Sequence, residues 1–176
     1  MKIYQIEVEN LPQWIPELKA GDRVVLSGVV YTARDAAHKR FTAALQAGDP
    51  LPIPLKGSAI YYAGPTPARE GMPIGSCGPT TSSRMDPHTP ALLDRGLCCM
   101  IGKGKRSQSV IEAMIRNQAV YLCAIGGAGA LACQCIQSCE IAAYEDLGCE
   151  SVKKLVFKDF PLVVGIDCCG GNIFDR

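Results

Sequence analysis

The sequence predicts an α/β domain, with a mixed, largely parallel sheet and flanking helices. Three observations predict it. Apolar runs of strand length recur at Val24–Val30, Ser58–Tyr62, Leu97–Ile101 and Val120–Ile125. Segments with helical spacing lie between them, the alternation expected of an α/β fold. The 176 residues, 48% of them apolar, suit one compact domain with a buried core, here taken as residues 1–176.

The elements follow in order. Residues 2–8 alternate around Ile3, Gln5 and Val8 and read as an edge strand. Leu11–Leu18 holds two prolines and reads as a turn or short helix. Gly21-Asp22 opens a strand from Val24 to Val30. Residues 34–46 read as a helix with Ala36, Ala37, Phe41, Ala44 and Leu45 on one side, stopped by Gly48-Asp49-Pro50. A Pro-rich loop covers 51–57, and Ser58–Tyr62 is a short strand. Gly64–Pro79 carries four prolines and four glycines; a loop that long in a compact domain is usually functional. Thr81–Met85 opens a helix, with Thr80 or Thr81 near its N-cap. Leu97–Ile101 is a buried strand. Ser107–Asn117 is an amphipathic helix with Val110, Ile111, Met114 and Ile115 inward. Val120–Ile125 is a strand, a Gly-Ala helix covers 128–138, and residues 152–168 hold two strands around Val156 and Val163. The N- and C-terminal segments are expected to add antiparallel strands.

Charge and composition bear on several classes. Eighteen basic and 17 acidic side chains leave a formal charge of +1 with no basic arm or acidic tail, so global charge argues neither for nor against nucleic acid. The N-terminal segment lacks the continuous apolar core of a secretory signal, and no run is long enough to span a membrane. The cytoplasm is the expected location, with neither nucleic acid nor membrane as partner.

Four segments concentrate polar residues where strands should end, the edge at which open α/β sheets bind ligands. In Tyr31–Arg40, Arg34 and His38 share one helix face, and Asp35 and Lys39 another. Asp35, Lys39 and Arg40 read equally well as a capped helix whose Asp35 pairs with Lys39. A lone histidine such as His38 is more often structural. Arg34 stands at the strand-to-helix turn, where a guanidinium can grip a carboxylate with two hydrogen bonds. In Gly75–Asp86, the hydroxyl run Thr80, Thr81, Ser82 and Ser83 ends in Arg84. Such a run offers several donors to one anion, or simply a helix cap. In Ile101–Arg106, Lys103 lies between two glycines in a pattern that does not fit a phosphate loop, while Lys105 and Arg106 read as solvated. Gly126-Gly-Ala-Gly129 reads as close helix–strand packing rather than a dinucleotide fingerprint.

The ten cysteines are Cys77, Cys98, Cys99, Cys123, Cys133, Cys135, Cys139, Cys149, Cys168 and Cys169. They show neither zinc-site spacing nor a ferredoxin run, so no metal ligands are assigned to this chain. Adjacent residues on a strand point to opposite faces, so Cys98-Cys99 and Cys168-Cys169 should not converge on one metal.

The segments GDRVVLSGVVYTARDAAHKR, YYAGPT, IGSCGPTTSSRMD, IGKG and VVGIDCCGGNIF together resemble one family over about residues 5 to 174. It is the C-terminal domain of class I fumarases and the β subunit of their two-subunit relatives, including L(+)-tartrate dehydratase. The resemblance implies a swivelling β/β/α domain and a partner α subunit carrying a [4Fe–4S] cluster, in an α2β2 assembly. The cysteines of this chain are then not the cluster ligands. Isolated, the chain is expected to be inactive and is a candidate homodimer.

By the resemblance, Arg34 and Arg84 bind substrate carboxylates, and Lys103 is the lysine of the GKG turn. Thr80 is the catalytic base, and Thr80, Thr81, Ser82, Ser83 and Arg84 form the substrate-contacting loop. Ser82-Ser83 stand where other members have Ala or Gly. The implied reaction is the reversible hydration of fumarate to (S)-malate, the TARDAAHKR wording favouring that substrate. A dicarboxylate trapped by three cations makes sense from charge alone. An alcohol base needs cations to lower its pKa, so the base is Thr80 or a group of the α subunit. The alternatives are an L(+)-tartrate dehydratase β subunit, a stand-alone Cys-rich metal-binding or redox protein, and a non-catalytic dicarboxylate-binding module.

Overall fold

The computed structural model describes residues 1–124 and 129–175. In chain order the elements are β1 (Ile3–Glu7), α1 (Leu11–Trp14), β2 (Arg23–Thr32), α2 (Asp35–Ala47), β3 (Ala59–Tyr61) and α3 (Thr89–Leu93). There follow β4 (Cys99–Gly102), α4 (Gln108–Asn117), β5 (Val120–Cys123), α5 (Gly129–Gln134), β6 (Ile136–Ala143) and β7 (Val152–Ile166). No helix among the described residues is long and apolar enough to cross a membrane.

The α/β expectation holds: the described strands form one mixed seven-stranded sheet with helices. Strands β1 to β5 run parallel, each beside the next. β7 is antiparallel to β2, β5 and β6. Because β7 pairs with both β2 and β5, the strands β2, β3, β4, β5 and β7 close into a ring, which removes edges that would otherwise stay unpaired.

Alternation along the strands sorts the core into two clusters. Ala59, Tyr61, Cys99, Ile101, Val120 and Leu122 pack with Leu26, Leu155 and Phe157. Their neighbours Ile60, Tyr62, Met100 and Tyr121 pack with Phe41 of α2, Leu92 of α3 and Met114 of α4. The inner parallel strands β3, β4 and β5 are thus buried on both faces, which is why they read as continuous apolar runs. α2 begins with Asp35 near its positive end and stops at Gly48, whose left-handed backbone (φ 76°) lets its N–H reach the Ala44 and Leu45 carbonyls.

Five expectations need correction. β1 joins β2 in parallel, not antiparallel, because residues 8–22 cross over through α1 and flanking 3-10 turns instead of a tight hairpin. Residues 136–138, expected to end the helix over 128–138, instead open the strand β6; the polar, largely exposed pattern of β6 is a weak strand signal that pairing with β7 overrides. The two C-terminal strands are one strand of 15 residues, interrupted by a bulge in which Lys158 and Asp159 (φ 52°) stand opposite the single residue Ser27 of β2. Ser82–Met85 is a single 3-10 turn, and Thr81 at its N-cap makes no side-chain cap. Ile115 is exposed, because the buried stripe of α4 runs through Val110, Ala113 and Met114.

Candidate functional site

Parallel strands present their C-terminal ends on one edge of a sheet, and the sequence-predicted residues lie there. Beyond β2, Arg34 takes the N-cap position of α2 in extended backbone (φ −119°, ψ −160°). Its carbonyl accepts the His38 N–H (2.9 Å) and lies 2.8 Å from His38 Nδ1. A carbonyl partner assigns the ring proton to Nδ1. His38 is fully buried against Phe41 and Tyr62, and burial lowers its pKa to about 4. The ring is therefore neutral and acts as a strut beneath Arg34. The Arg34 side chain lies over Gly64, where a Cβ would come within 2.6 Å of Nη1; a glycine is needed for this close approach. Arg34 Nε is buried and has no acceptor among the described residues.

The hydroxyl run is fastened to β3 and β4 by its main chain. Thr80 N–H donates to the Tyr62 carbonyl (2.7 Å), leaving Thr80 half-buried at the end of β3. Thr81 bridges Lys103 as a single parallel pair, and Ser82 N–H donates to the Lys103 carbonyl (2.9 Å). Ser82 is fully buried. Lys103 N–H donates to Ser82 Oγ (3.0 Å), which lies 2.9 Å from the Tyr121 hydroxyl, which donates to the Gly104 carbonyl (3.0 Å). This chain of donors holds the GKG turn in place. A Cβ on Gly102 would come within 2.0 Å of Ser82 Oγ, so Gly102 makes room for the serine. Thr81 and Ser83 are exposed.

Arg84 reaches across to the start of α2. Its Nε donates to Asp35 Oδ1 (3.0 Å), and Nη2 lies 3.0 Å from Oδ2, out of line for a hydrogen bond. Asp35 thus pairs with Arg84 and not with Lys39. The four residues Arg34, Thr80, Arg84 and Lys103 meet on one sheet edge, with Asp35 as an acidic counterweight.

Arg106 corrects the reading of a solvated residue. Its guanidinium is buried, with Nε donating to Asp86 Oδ1 (2.7 Å) and Nη2 to Thr89 Oγ1 (3.0 Å) and the Tyr62 hydroxyl (3.3 Å). It lies 5.2 Å and 5.0 Å from the Tyr62 and Tyr121 ring centres. Asp86 accepts the Ser107 N–H with its second oxygen (2.6 Å). The hub ties the segment after Arg84 to the segment after Lys103. Nothing local in Lys103–Arg106 distinguishes it from a surface charge run, because Asp86 stands 20 residues upstream.

Residues 2–176 match the family model described as the fumarase C-terminus. The chain belongs to the fumarase C-terminus family. It is 40% identical over 156 residues to the anaerobic class I fumarate hydratase of Escherichia coli, covering 88% of this chain and 28% of that protein. It is 37% identical over 171 residues to mitochondrial fumarate hydratase 1 of Leishmania major, covering 94% of this chain and 31% of the other. It is 34% identical over 168 residues to a putative L(+)-tartrate dehydratase subunit beta of Methanocaldococcus jannaschii, covering 92% of this chain and 86% of that subunit. The chain therefore spans about a third or less of the fumarate hydratases and nearly the whole of the tartrate dehydratase subunit.

The thiols of this fumarase C-terminus chain are dispersed. Cys77, Cys98, Cys99 and Cys168 are buried, while Cys149 and Cys169 are exposed. Burial pushes the Cys77 and Cys98 thiols up to about 12, as expected of inert core sulfur. Among the described residues no three His, Cys, Asp or Glu side chains converge on a metal position, so these residues do not fit an iron–sulfur cluster. Cys133 lies on α5, Cys135 in the turn that follows it and Cys139 on β6. Of the Gly126–Gly129 packing expectation, residues 126–128 lie outside those described.

Proposed function

We propose that this chain is the β component of a class I, fumarate hydratase-type hydro-lyase and supplies the cationic, dicarboxylate-binding half of its active site. One observation carries the reading: Arg34, Arg84 and Lys103 share a sheet edge with Thr80, and Arg34 Nε is buried without an acceptor among the described residues. A buried, unpaired guanidinium N–H is costly unless an anion accepts from it. The other half of the site belongs, on this reading, to an α subunit that holds the [4Fe–4S] cluster. Residues 1–176 form one domain that swivels against that partner in the cytoplasm, and the assembly is α2β2.

The steps assigned to this chain are binding, orientation and proton handling. Arg34 grips one substrate carboxylate, with Gly64 keeping the space for its side chain. Lys103 and Arg84 hold the other, Arg84 with the guanidinium edge that Asp35 does not engage. Removing a proton from the carbon beside a carboxylate pushes a second negative charge onto that carboxylate. A preorganised cation there contributes on the order of 3 kcal/mol. Thr80 accepts the proton, its hydroxyl made more acidic by the same cations.

The test uses the chain assembled with its α subunit and assays fumarate hydration. Arg34→Lys keeps the charge and loses the fork, and kcat/KM should fall by roughly 10²–10³ with stability unchanged. Full activity in that variant would remove Arg34 from the site. Thr80→Ala should abolish solvent exchange of the malate C3 proton; undiminished exchange assigns the base to the α subunit. A second reading, L(+)-tartrate dehydratase β subunit, is favoured by the near full-length match to the Methanocaldococcus jannaschii subunit. Turnover of tartrate in preference to fumarate by the same complex selects it.

A further inference from the structure

Cys168 and Cys169 follow β7 in a turn, where the rule that adjacent strand side chains diverge does not apply. Their sulfurs lie 3.9 Å apart. Cys98 and Cys99 offer a contrast: Cys99 lies in β4, and the Cys98 thiol is turned to the Ser58 carbonyl (3.3 Å).

The two turn cysteines differ in access. Cys169 is exposed, and Lys19 Nζ lies 3.9 Å from its sulfur. A cation beside an exposed sulfur is the setting in which thiolates react. Cys168 is 1% exposed and faces the Ile15 carbonyl at 3.6 Å. The turn is clamped by Asp167, whose carboxylate accepts from Cys169 N–H and Gly171 N–H (both 2.9 Å) and from Ala20 N–H (3.0 Å). The pair sits by the loop leading into β2, at the opposite end of that strand from Arg34.

The geometry points to Cys168–Cys169 as a reversible dithiol–disulfide couple whose co-substrate is a small, soluble disulfide. Cys169 as thiolate attacks one sulfur of that disulfide, forming a mixed disulfide and releasing one thiolate. Cys168 then gives up its proton to the released thiolate and attacks the Cys169 sulfur, expelling the second thiolate, which solvent protonates. Two protein thiols and one small disulfide become one protein disulfide and two small thiols. Burial raises the Cys168 thiol, so it acts second, on a sulfur already within reach. Adjacent Cα atoms stand about 3.8 Å apart, below the usual disulfide range of about 4.4–6.8 Å. The closed ring is therefore strained and easily reduced, which makes it a reversible bond rather than a structural one.

The full chain, reduced and then exposed to oxidised glutathione, tests this. After alkylation of free thiols, trypsin releases residues 159–176, which contain only this cysteine pair, and residues 96–103, which contain only Cys98 and Cys99. Peptide 159–176 should lose two alkylatable thiols without retaining glutathione, and mild dithiol treatment should restore both. Peptide 96–103 should stay reduced. Cys168→Ser should stop at glutathione held on Cys169. The couple is overturned if wild type also stops there, if both thiols of 159–176 stay free while Cys149 takes glutathione, or if both pairs oxidise equally.

Discussion

Replacing Arg106 with methionine removes the cation from the hub beneath the site and leaves Asp86 behind. The Arg106 side chain is wholly buried and that of Asp86 is 9% exposed. Thr89 and Tyr62 lose a donor as well, while among the described residues Asp86 keeps the Ser107 N–H. Breaking a buried ion pair from one side costs about 3–5 kcal/mol, because an uncompensated charge remains. At about 2–4 °C per kcal/mol for a domain of this size, Tm should fall by roughly 6–20 °C. Arg116 pairs with Asp94 at 2.9 Å, but both side chains are about half exposed, so Arg116→Ala should leave Tm close to that of the wild type. Urea titration and thermal melts of the two variants measure the difference. Adding Asp86→Asn to Arg106→Met should recover roughly 0.5–3 kcal/mol by removing the stranded carboxylate. Equal, small losses for Arg106→Met and Arg116→Ala would refute the assignment of Arg106 as a buried anchor.

Stability should also depend on pH through His38. The unfolded side chain takes up a proton near 6.5, whereas burial holds the folded one to about 4, so stability is full above that window and falls as pH drops through it. The loss should reach about 3 kcal/mol, and His38→Gln should flatten the profile between pH 6.5 and 4; an unchanged slope would sink the idea. Gly102→Ala places a methyl 2.0 Å from Ser82 Oγ and should cost about 1–3 kcal/mol in urea unfolding. Adding Ser82→Ala should restore part of that loss, since it removes the clashing oxygen; no recovery would mean that the strain lies elsewhere. Asp35→Asn should lower stability by less than about 1 kcal/mol, as a half-exposed Arg84 partner implies, which equilibrium unfolding can check.

The fold class and most elements were legible because their signals are local. Continuous apolar runs marked the parallel strands, and Gly48 marked the end of α2. Where pairing over distance decided, local signals failed. β6 is a strand because β7 lies beside it, and β1 is parallel because residues 8–22 cross over. The cysteine pairs make the same point, since the same dipeptide occurs beside β4 with its Cys98 thiol on a carbonyl, and in a turn with the sulfurs in contact.

For the proposed site, the amino-acid sequence alone singled out the residues that carry the charge and the hydroxyls: Arg34, Thr80, Arg84 and Lys103. Their motifs also determined the family. Tertiary structure alone decided how each one is held. It paired Arg84 with Asp35, turned Ser82 inward as a strut for Lys103, and buried Arg106 against Asp86. The physical reason is that hydrogen bonds and ion pairs form between atoms brought close by the closed ring of strands, across separations of 20 to 49 residues, where no periodicity in the sequence can record them.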